Sequence, residues 1–358
     1  MIKITTKKDL REQPPGPSGS GGLGTISRDL RELLLANPTA SDNDKEPVQI
    51  LGVKGDQVIG QMNLVSGRIR VEEENLQVLW GSGFAVPPEH RPTGAGLMIL
   101  LRMQGLPYTV GAVGASQMAA LLYDKLKWVD LVAPRFILLR RTRPVLERYL
   151  GTGILAAVAS AVGDLGVGVL GHVVAIVNRL ATRGLRVEAI KRMPEALDPQ
   201  LRRIDKPAWC WRSAAWINWI LTAHGGTPEL YLVKDPQGRP VGYFVITHRR
   251  HDEGGGGKWK NFVLGSVKDW MTFDSLAVTD AQLVRLAIDQ LMRREVDAID
   301  VCVAEPEVGL ALRRCGLRQM GGMHFIFRPL PNTPLAKDQY HHLDAWRFRP
   351  ADGDYFLF

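Results

Sequence analysis

The amino-acid sequence predicts an α/β protein with a mixed (α+β) sheet, built from two similar units. The chain has 358 residues, which is the length of about two domains. Hydrophobic residues make up 45% and charged residues 23% of it, as in ordinary globular proteins, so fibrous and wholly disordered classes are excluded. Strand-like and helix-like patterns alternate along both halves of the chain, which indicates mixed sheets with helices packed on them.

The first unit is assigned to residues 1–145. A run rich in Pro, Gly and Ser at 13–24 is predicted to be a loop, within a stretch at 7–26 that is expected to be partly flexible. Ser27 is placed to cap a helix that runs to about Ala36. The remaining pattern predicts strands at 2–6, 47–53, 57–65, 76–86, 108–113 and about 132–139, and helices at about 93–103 and 116–126.

The second unit, residues 206–358, repeats this order of elements. An Asp-Pro-Gln-Gly turn joins two of its strands. Because the order of elements matches while the residues differ, the two units are interpreted as an internal duplication of roughly 130 residues. The pattern predicts helices at 211–223, 280–294 and 306–315, and strands at 229–234, 240–247, 271–278, 297–304 and 323–328.

Residues 146–205 are predicted to form a helical bridge between the units. Residues 152–178 are strongly apolar, and their glycines favour two short helices with a Gly-rich break over one helix. Asp164 would be costly inside a bilayer, so a true membrane span is disfavoured. The bridge is expected to pack between the units, with contact of residues 151–182 to an anionic membrane surface as the alternative. It also spells G-x-G-x-x-G at 166–171, a weak match to a dinucleotide site.

Positive charge is concentrated in the middle of the chain. Residues 135–206 contain 13 Lys and Arg against 6 Asp and Glu, and so carry +7 of the net charge of +8. Such a stretch suits an anionic partner, such as a phosphate-bearing cofactor or a membrane surface, or it is a solvated basic face. No nucleic-acid recognition motif accompanies it, so nucleic-acid binding is not expected.

The cysteines and the N-terminal sequence indicate the cellular compartment in which the protein is expected. Cys210, Cys302 and Cys315 are too few and too widely spaced for a disulfide framework or a zinc ribbon. The N-terminus lacks the apolar core of a signal peptide. We therefore expect a cytoplasmic protein, with peripheral attachment at the inner membrane face left open. His248 and His251 stand beside a Gly-rich loop at 254–257 without further ligands, so no metal is expected.

The strongest local signal is the segment 86–96, V-P-P-E-H-R-P-T-G-A-G. It follows an apolar strand and opens an apolar helix, with Gly94 and Gly96 where the chain must turn sharply. The free N–H groups of the helix start, its dipole and the guanidinium of Arg91 together suit phosphate oxygens. The alternative interpretation is a glycine-containing loop that only starts a helix.

The pattern V-x-P-x-x-R-x-x-G-x-G in this segment resembles the acyl-CoA-binding motif of the GNAT superfamily of N-acyltransferases. A second motif of that family, N-x-x-A-x-x-L-Y-x-K-x-G-F, is matched in residues 116–128 at Ala119, Leu122, Tyr123 and Lys125. The two motifs stand in the family's order, and the resemblance is carried by residues 45–140. It implies two GNAT-like modules joined by the helical bridge.

The resemblance also implies a reaction and its residues. The diphosphate of acetyl-CoA or another acyl-CoA would lie on the glycine turn, with its pantetheine arm along the preceding strand end. An amine on a small molecule, an amino sugar or a peptide would attack the thioester directly. Tyr123 would be the catalytic acid that protonates the leaving thiolate. The cofactor-binding residues would be Phe84, Val86, Arg91, Thr93, Gly94, Ala95, Gly96 and Ser116.

The sequence departs from the family pattern at several positions. Ser116 and Lys127 stand where the family often has Asn and Gly, and no general base is evident. The second unit has no Arg-x-x-Gly-x-Gly turn, and Leu312 occupies its tyrosine position, so that module is expected to be degenerate. Two hypotheses follow. One is an N-acyltransferase with a catalytic first module; the other is a non-catalytic acyl-CoA-binding or scaffold protein, associated with a membrane surface or envelope polysaccharide machinery.

Overall fold

A computed structural model describes residues 1–12, 14, 22–150, 153–203, 206–223, 227–251 and 262–353. Within these ranges the strands form one continuous mixed sheet with helices on both faces. Most of the predicted loop at 13–24, and all of the Gly-rich loop at 254–257, lie outside the described residues.

The first half follows the predicted order of elements except for a helix at Lys7–Glu12, at the start of the stretch 7–26 that was expected to be partly flexible. Ser27 caps the second helix, because its Oγ accepts a hydrogen bond of 3.3 Å from the backbone N–H of Leu30. The strands are β1 (Ile2–Thr6), β2 (Pro47–Lys54), β3 (Gln57–Val71), β4 (Glu74–Ala85), β5 (Thr109–Val113) and β6 (Val129–Leu139), and the helices are α1 (Lys7–Glu12), α2 (Arg28–Leu35), α3 (Ala95–Gln104) and α4 (Gln117–Lys125).

The middle of the chain differs from the prediction in two ways. Residues 152–178 were expected to form two short helices, but residues 154–181 form a single one. The bridge was also expected to be helical throughout, whereas residues 186–190 form a strand at the edge of the sheet. The elements here are α5 (Arg143–Leu150), α6 (Ile154–Ala181), β7 (Arg186–Ile190), α7 (Asp198–Leu201), β8 (Ala208–Cys210) and α8 (Ala214–Ile220).

Tertiary packing explains why α6 is continuous despite its glycines. A Cβ on Gly163 would come within 2.7 Å of the Thr142 hydroxyl oxygen, so this glycine allows the helix to approach the protein closely. Gly171 likewise faces Met292. These contacts outweigh the intrinsic cost of about 1 kcal/mol per glycine in a helix.

The second half repeats the first, with one predicted strand misplaced. A strand was expected at 271–278, but the strand here ends at Thr272, and Val278 instead closes a turn by donating to the carbonyl of Asp274. The pattern failed because Lys268 and Asp269 are buried inside this strand. The elements are β9 (Glu229–Lys234), β10 (Pro240–His251), β11 (Phe262–Thr272), α9 (Asp280–Met292), β12 (Ala298–Cys302), α10 (Pro306–Arg314), β13 (Arg318–Arg328) and β14 (Trp346–Arg347).

The two halves exchange strands at the centre of the sheet. The strand order is β1-β2-β3-β4-β5-β13-β6-β12-β11-β10-β9-β7 in the described ranges. Strand β13 of the second half lies between β5 and β6, and β6 of the first half lies between β12 and β13. Each half therefore completes its sheet with a strand from the other half.

The core follows from this arrangement. One apolar cluster lies between the first half of the sheet and helices α3 and α4, and a second lies beneath α9 and α10. The largest cluster lies on the opposite face of the sheet and includes side chains of both halves, among them Trp80, Phe325 and Trp346.

Candidate functional site

The candidate site begins where β4 and β5 separate. Residues 78–80 of β4 pair in parallel with residues 109–111 of β5, and β4 then continues to Ala85 without this partner. The separation coincides with an irregularity in β4: Ser82 opposes Asn63 of β3, yet Ala85 opposes Gln61, and Gly83 between them has a φ of 59°. A β-bulge of this kind bends a strand away from its neighbour, and here it leaves a wedge-shaped opening.

The segment after β4 forms the turn that the sequence predicts. Pro88–Thr93 is a 3-10 turn, Gly94 has a φ of 74°, and α3 begins at Ala95. Thr93 stabilises the turn, because its hydroxyl donates to the carbonyl of His90 at 2.6 Å. The first N–H groups of α3 point outward at this edge, since an α-helix has no internal acceptors for its first turn. The turn can therefore hold an anion.

The predicted cofactor-binding residues of this region lie together. Arg91 is exposed on the turn, and its Nε donates to the carbonyl of Val86 at 3.3 Å. The ring of Phe84 covers the start of α3, where a Cβ on Gly96 would lie 3.2 Å from its Cζ. A Cβ at Gly96 would crowd the Phe84 ring, whereas Gly94 has open surroundings and is favoured for its left-handed backbone.

Both helices start at the same edge of the sheet. Strands β4 and β5 are parallel, so α3 and α4, which follow them, begin beside the opening. Helix α3 packs on β2 and β3 and α4 packs on β6 and β13, which leaves the opening between the two helices. Ser116 is at the start of α4, where its Oγ caps the helix by accepting from the N–H of Ala119 at 3.3 Å.

The side chain of Tyr123 lies between these helices and is almost fully buried. Its side chain is 2% exposed, inside the apolar cluster that also contains Ile99 and Met103. The ring lies 4.8 Å from that of Trp128, centroid to centroid, at a tilted angle of 53°. Ligand access to its hydroxyl therefore has to come from between α3 and α4.

At the opening, the face of the sheet that points away from α3 carries polar groups that the sequence did not reveal. Asn63 and Ser82 are buried there, and the Oδ1 of Asn63 accepts from the amide of Gln49 at 3.0 Å. Gly353 lies against the same region, where a Cβ would be 2.6 Å from Val113. The only signal for these groups was polar residues interrupting apolar strands, a signal that does not identify a site until the strands are paired.

Two acidic residues, Glu89 and Glu72, are candidates for the general base. Glu89 is exposed on the α3 turn. Glu72 is in the β3–β4 hairpin, at the opposite end of β4 from the opening. Hydrogen bonds from Lys337 and Tyr340 lower the pKa of the Glu72 carboxyl. Its ionised form is thereby stabilised by a structural contact.

The second half has an equivalent opening, which its own C-terminal segment fills. Strands β11 and β12 pair in parallel only over residues 264–267 and 298–301, after which β11 continues to Thr272 without β12, still paired with β10 on its other edge. Residues 348–352 lie beside this part of β11, where the N–H of Ala351 donates to the carbonyl of Lys268 at 2.8 Å. The Nε of Arg349 donates to the carbonyl of Trp270 at 3.1 Å.

Arg349 also occupies the position where an anion would bind. Its guanidinium contacts Asp280 at the start of α9 (2.9 Å) and Glu305 just before α10 (2.6 Å). The side chain is 1% exposed. Thr279 caps α9 with a reciprocal hydrogen bond to Gln282, so no glycine turn stands here. Residues 348–352 thus occupy this opening, beside a cavity that Arg212, Asp269 and Arg349 help to line.

Two other sequence features have no site chemistry in the structure. The G-x-G-x-x-G run lies within helix α6, so its backbone cannot form a phosphate-binding turn. Within the described part of the chain, no group of three or more His, Cys, Asp or Glu side chains is placed to hold a metal ion.

Comparison with solved structures identifies the architecture. Two structures of Saccharomyces cerevisiae N-myristoyltransferase with bound myristoyl-CoA each match 85% of this chain. In the first the TM-score is 0.51 at 11% identity and the match covers 75% of the N-myristoyltransferase chain. In the second the TM-score is 0.52 at 10% identity and the match covers 71% of that chain. The chain has a tandem GNAT fold. The fold that the motif resemblance implied is thus confirmed.

A further match of this tandem GNAT fold is a protein from Enterococcus faecalis V583, described as a conserved protein of unknown function and probable N-acyltransferase. It matches 92% of this chain and 72% of its own, with a TM-score of 0.50 at 11% identity. No family model matches the sequence, and the search of curated proteins found no match. At these identities the likeness is one of fold.

Proposed function

We propose that this protein is an acyl-CoA-dependent N-acyltransferase whose site lies in residues 1–145. The observation that carries the proposal is the β4–β5 opening, with the anion-binding turn of α3 at its edge. N-myristoyltransferase, whose structures contain bound myristoyl-CoA, shares the fold over 85% of this chain. Residues 146–205 are then a bridge, and residues 206–358 a module without cofactor.

The opening suits each part of an acyl-CoA. The diphosphate would lie on the N–H groups at the start of α3, from Gly96 onward, and against Arg91. The N–H groups of Gly94 and Ala95 instead shape the turn, because they donate to the Arg91 carbonyl at 3.3 Å and to the Thr93 hydroxyl at 3.4 Å. The pantetheine arm would follow β4 from Val86 to Gly83. Beyond Trp80 this edge of β4 has no partner in β5, so its peptide groups are available to pair with the amides of the arm.

The reaction proposed is direct transfer. The acceptor nitrogen attacks the thioester carbonyl, the C–N bond forms, the C–S bond breaks, and the amine proton leaves to solvent. Tyr123 donates its phenolic proton to the departing thiolate, and for this the arm has to enter between α3 and α4. Acetyl-CoA is the default donor, and the acceptor is an amine of a small molecule, an amino sugar or a peptide. We place the enzyme in the cytoplasm.

Cofactor binding is tested by calorimetry with CoA and with pantetheine, which lacks the diphosphate. We expect Arg91→Ala to weaken CoA binding by about tenfold to a hundredfold, because a hydrogen bond to a charged group contributes about 1.5–3 kcal/mol. Pantetheine binding should not change. Arg102→Ala, which removes an exposed arginine from the other end of α3, is the matched control. Absence of CoA binding by the wild-type protein would refute the proposal.

The role of Tyr123 is tested by Tyr123→Phe in a screen of amine acceptors. We expect the acyl-transfer rate to fall by about a hundredfold or more, the usual contribution of a general acid, with CoA affinity unchanged. An unchanged rate would remove Tyr123 from the mechanism and leave the cofactor site standing.

The burial of Tyr123 favours a second candidate function, acyl-CoA binding without transfer. A side chain that is 2% exposed does not reach a thioester in the conformation described here. This candidate predicts tight CoA binding together with no thiol release above hydrolysis for any amine tested. The same calorimetry and acceptor screen therefore separate the two functions.

A further inference from the structure

Helix α6 presents an apolar stripe to the outside of the protein. At 3.6 residues per turn the stripe falls within an arc of about 80° and runs roughly 38 Å along the helix. Leu155, Leu165 and Leu180 are 80%, 72% and 69% exposed. The members of the stripe are Leu155, Val158, Val162, Leu165, Val169, Val173, Ile176 and Leu180.

The opposite face of α6 is the more polar one, and it binds the protein. Asp164 accepts hydrogen bonds from the N–H and the hydroxyl of Thr142, at 2.6 and 2.8 Å. Asn178 accepts from the Sγ of Cys315 at 3.2 Å, and its side chain lies against Arg285 of α9. The helix is therefore inverted relative to an ordinary surface helix, whose apolar face points inward.

A stripe of this length is not an ordinary solvent face. Soluble monomers rarely expose contiguous apolar patches of more than a few hundred Å², and larger patches mark contact sites. Among the described residues α6 is the one helix long and apolar enough to cross a membrane, yet only 17% of its most apolar window is buried in the protein. It is not a core helix, and the described part of the chain leaves its apolar stripe uncovered.

The sheet rules out a transmembrane span. The chain enters α6 from β6, and β6 pairs with β12 and β13, which follow α6 in sequence. A single crossing would place these paired strands on opposite sides of the bilayer. The helix must therefore lie along a surface, with both of its ends on the same side.

Charge around α6 indicates what that surface is. At its C-terminal end, arginine side chains are exposed on the helix, in the turn that follows and at the start of β7. Arg141, next to the Thr142 that contacts α6, is also exposed and lies 3.8 Å from Asp297. Of the nearby acids, Glu147 pairs with Arg143 and Glu188 with Lys234, while Asp164 faces inward to Thr142. An apolar stripe flanked by arginines matches the acyl and headgroup layers of an anionic membrane. The exposed arginines of the C-terminal end are Arg179, Arg183 and Arg186.

We propose that α6 is a membrane-docking helix, which lies in the interface of a bilayer that contains anionic lipids and holds this protein at its surface. The stripe inserts among the acyl chains, and the flanking arginines bind lipid phosphates. The inference does not depend on the proposed acyl transfer, since α6 packs on α9 of the second half, away from the β4–β5 opening.

Vesicle co-sedimentation tests the proposal with the full chain. We expect sedimentation with phosphatidylcholine vesicles that contain phosphatidylglycerol, and weaker sedimentation with phosphatidylcholine alone or at high salt. Leu165→Glu with Val169→Glu should reduce binding by about tenfold or more, because both side chains would insert into the apolar layer. Both positions are exposed, so folding should be unaffected.

The matched control places the same two charges on the same helix, outside the stripe. Ala157→Glu with Ala161→Glu alters exposed positions on the flank, and this variant should keep most of the vesicle binding. Equal loss in both variants, or no binding of the wild type to anionic vesicles, would overturn the proposal. A wild-type dimer that only the stripe variant converts to a monomer, without vesicle binding, would assign the stripe to a second copy of this chain instead.

Discussion

Lys127 has an unfavourable left-handed backbone conformation, and the comparison with the family pattern already indicated it. The residue stands where the family pattern has glycine, and the structure gives it a φ of 60° at the end of α4. The left-handed backbone costs an L-residue roughly 1–2 kcal/mol of folding free energy. A glycine avoids this cost, but it offsets part of the gain because it increases the conformational entropy of the unfolded chain. The site thus tolerates Lys127 at some cost in stability.

We expect Lys127→Gly to raise the free energy of unfolding by about 0.5–1 kcal/mol, measured by urea denaturation. Lys125→Gly, two residues earlier and inside α4, should lower it by about 1 kcal/mol, since glycine is unfavourable within a helix. If both substitutions destabilised the protein equally, Lys127 would be unstrained.

Whether a residue of the candidate site could be predicted depends on how far its contact partners lie from it in the sequence. Arg91, Gly94 and Gly96 were predicted because one short segment contains the whole turn, and local geometry decides it. Asn63 and Ser82 were not, because their meeting depends on the register of β3 against β4. Arg349 was missed for the same reason, since its carboxylate partners are 44 and 69 positions away.

Strand β11 shows a comparable limit at the level of elements. Its pattern was obscured by Lys268, a lysine that is 3% exposed at the point where β11 leaves β12. Burial, together with Arg135 and Arg249, lowers the pKa of this amine to about 8 from its ordinary value near 10.5, against the opposing effects of Asp300 and Cys302. A sequence pattern read for apolar alternation cannot anticipate a buried lysine.

The lowered pKa of Lys268 predicts a pH dependence of stability. Between pH 8 and 10 the unfolded chain holds a proton on this amine that the folded chain has released, so the free energy of unfolding should rise with pH. In Lys268→Met this rise should be smaller by about 2 kcal/mol across that interval.

Denaturation of both proteins at several pH values measures the difference, and other titrating groups cancel in the comparison. Lys125→Met, which removes an exposed lysine, should keep the wild-type profile. Parallel profiles for the wild type and Lys268→Met would show that the folded chain keeps Lys268 protonated.

Helix α6 is the other element that the sequence did not resolve. Its glycines argued for a break, and only the contacts of Gly163 and Gly171 with Thr142 and Met292 explain why they lie within one helix. Its charge and apolar content were evident from the sequence. The inverted placement of its polar and apolar faces was not, because that depends on which face the second half covers.

At the scale of the whole molecule, the duplication was visible as a repeated order of elements, but the strand exchange was not. Strands β6 and β13 each lie inside the other half's sheet. Nothing local distinguishes such a strand from one that stays in its own half, because the two environments are nearly equivalent. The exchange makes the halves interdependent even though their sequences suggest separate modules.

This interdependence predicts a single cooperative unfolding unit. Phe325 of β13 is fully buried and contacts Trp80 of the first half, with 5.6 Å between ring centroids. Phe325→Ala should lower the free energy of unfolding by about 3–5 kcal/mol, the usual range for a buried phenylalanine.

Hydrogen exchange by mass spectrometry should then show the slowest amides of β3 and of β10 accelerating by the same factor, because both open only when the whole sheet unfolds. Val284→Ala, on the buried face of α9 in the second half, should accelerate the same two strands together by a smaller factor. Acceleration confined to β10 in either variant would mean that the halves unfold separately, and that β13 is held by the first half only weakly.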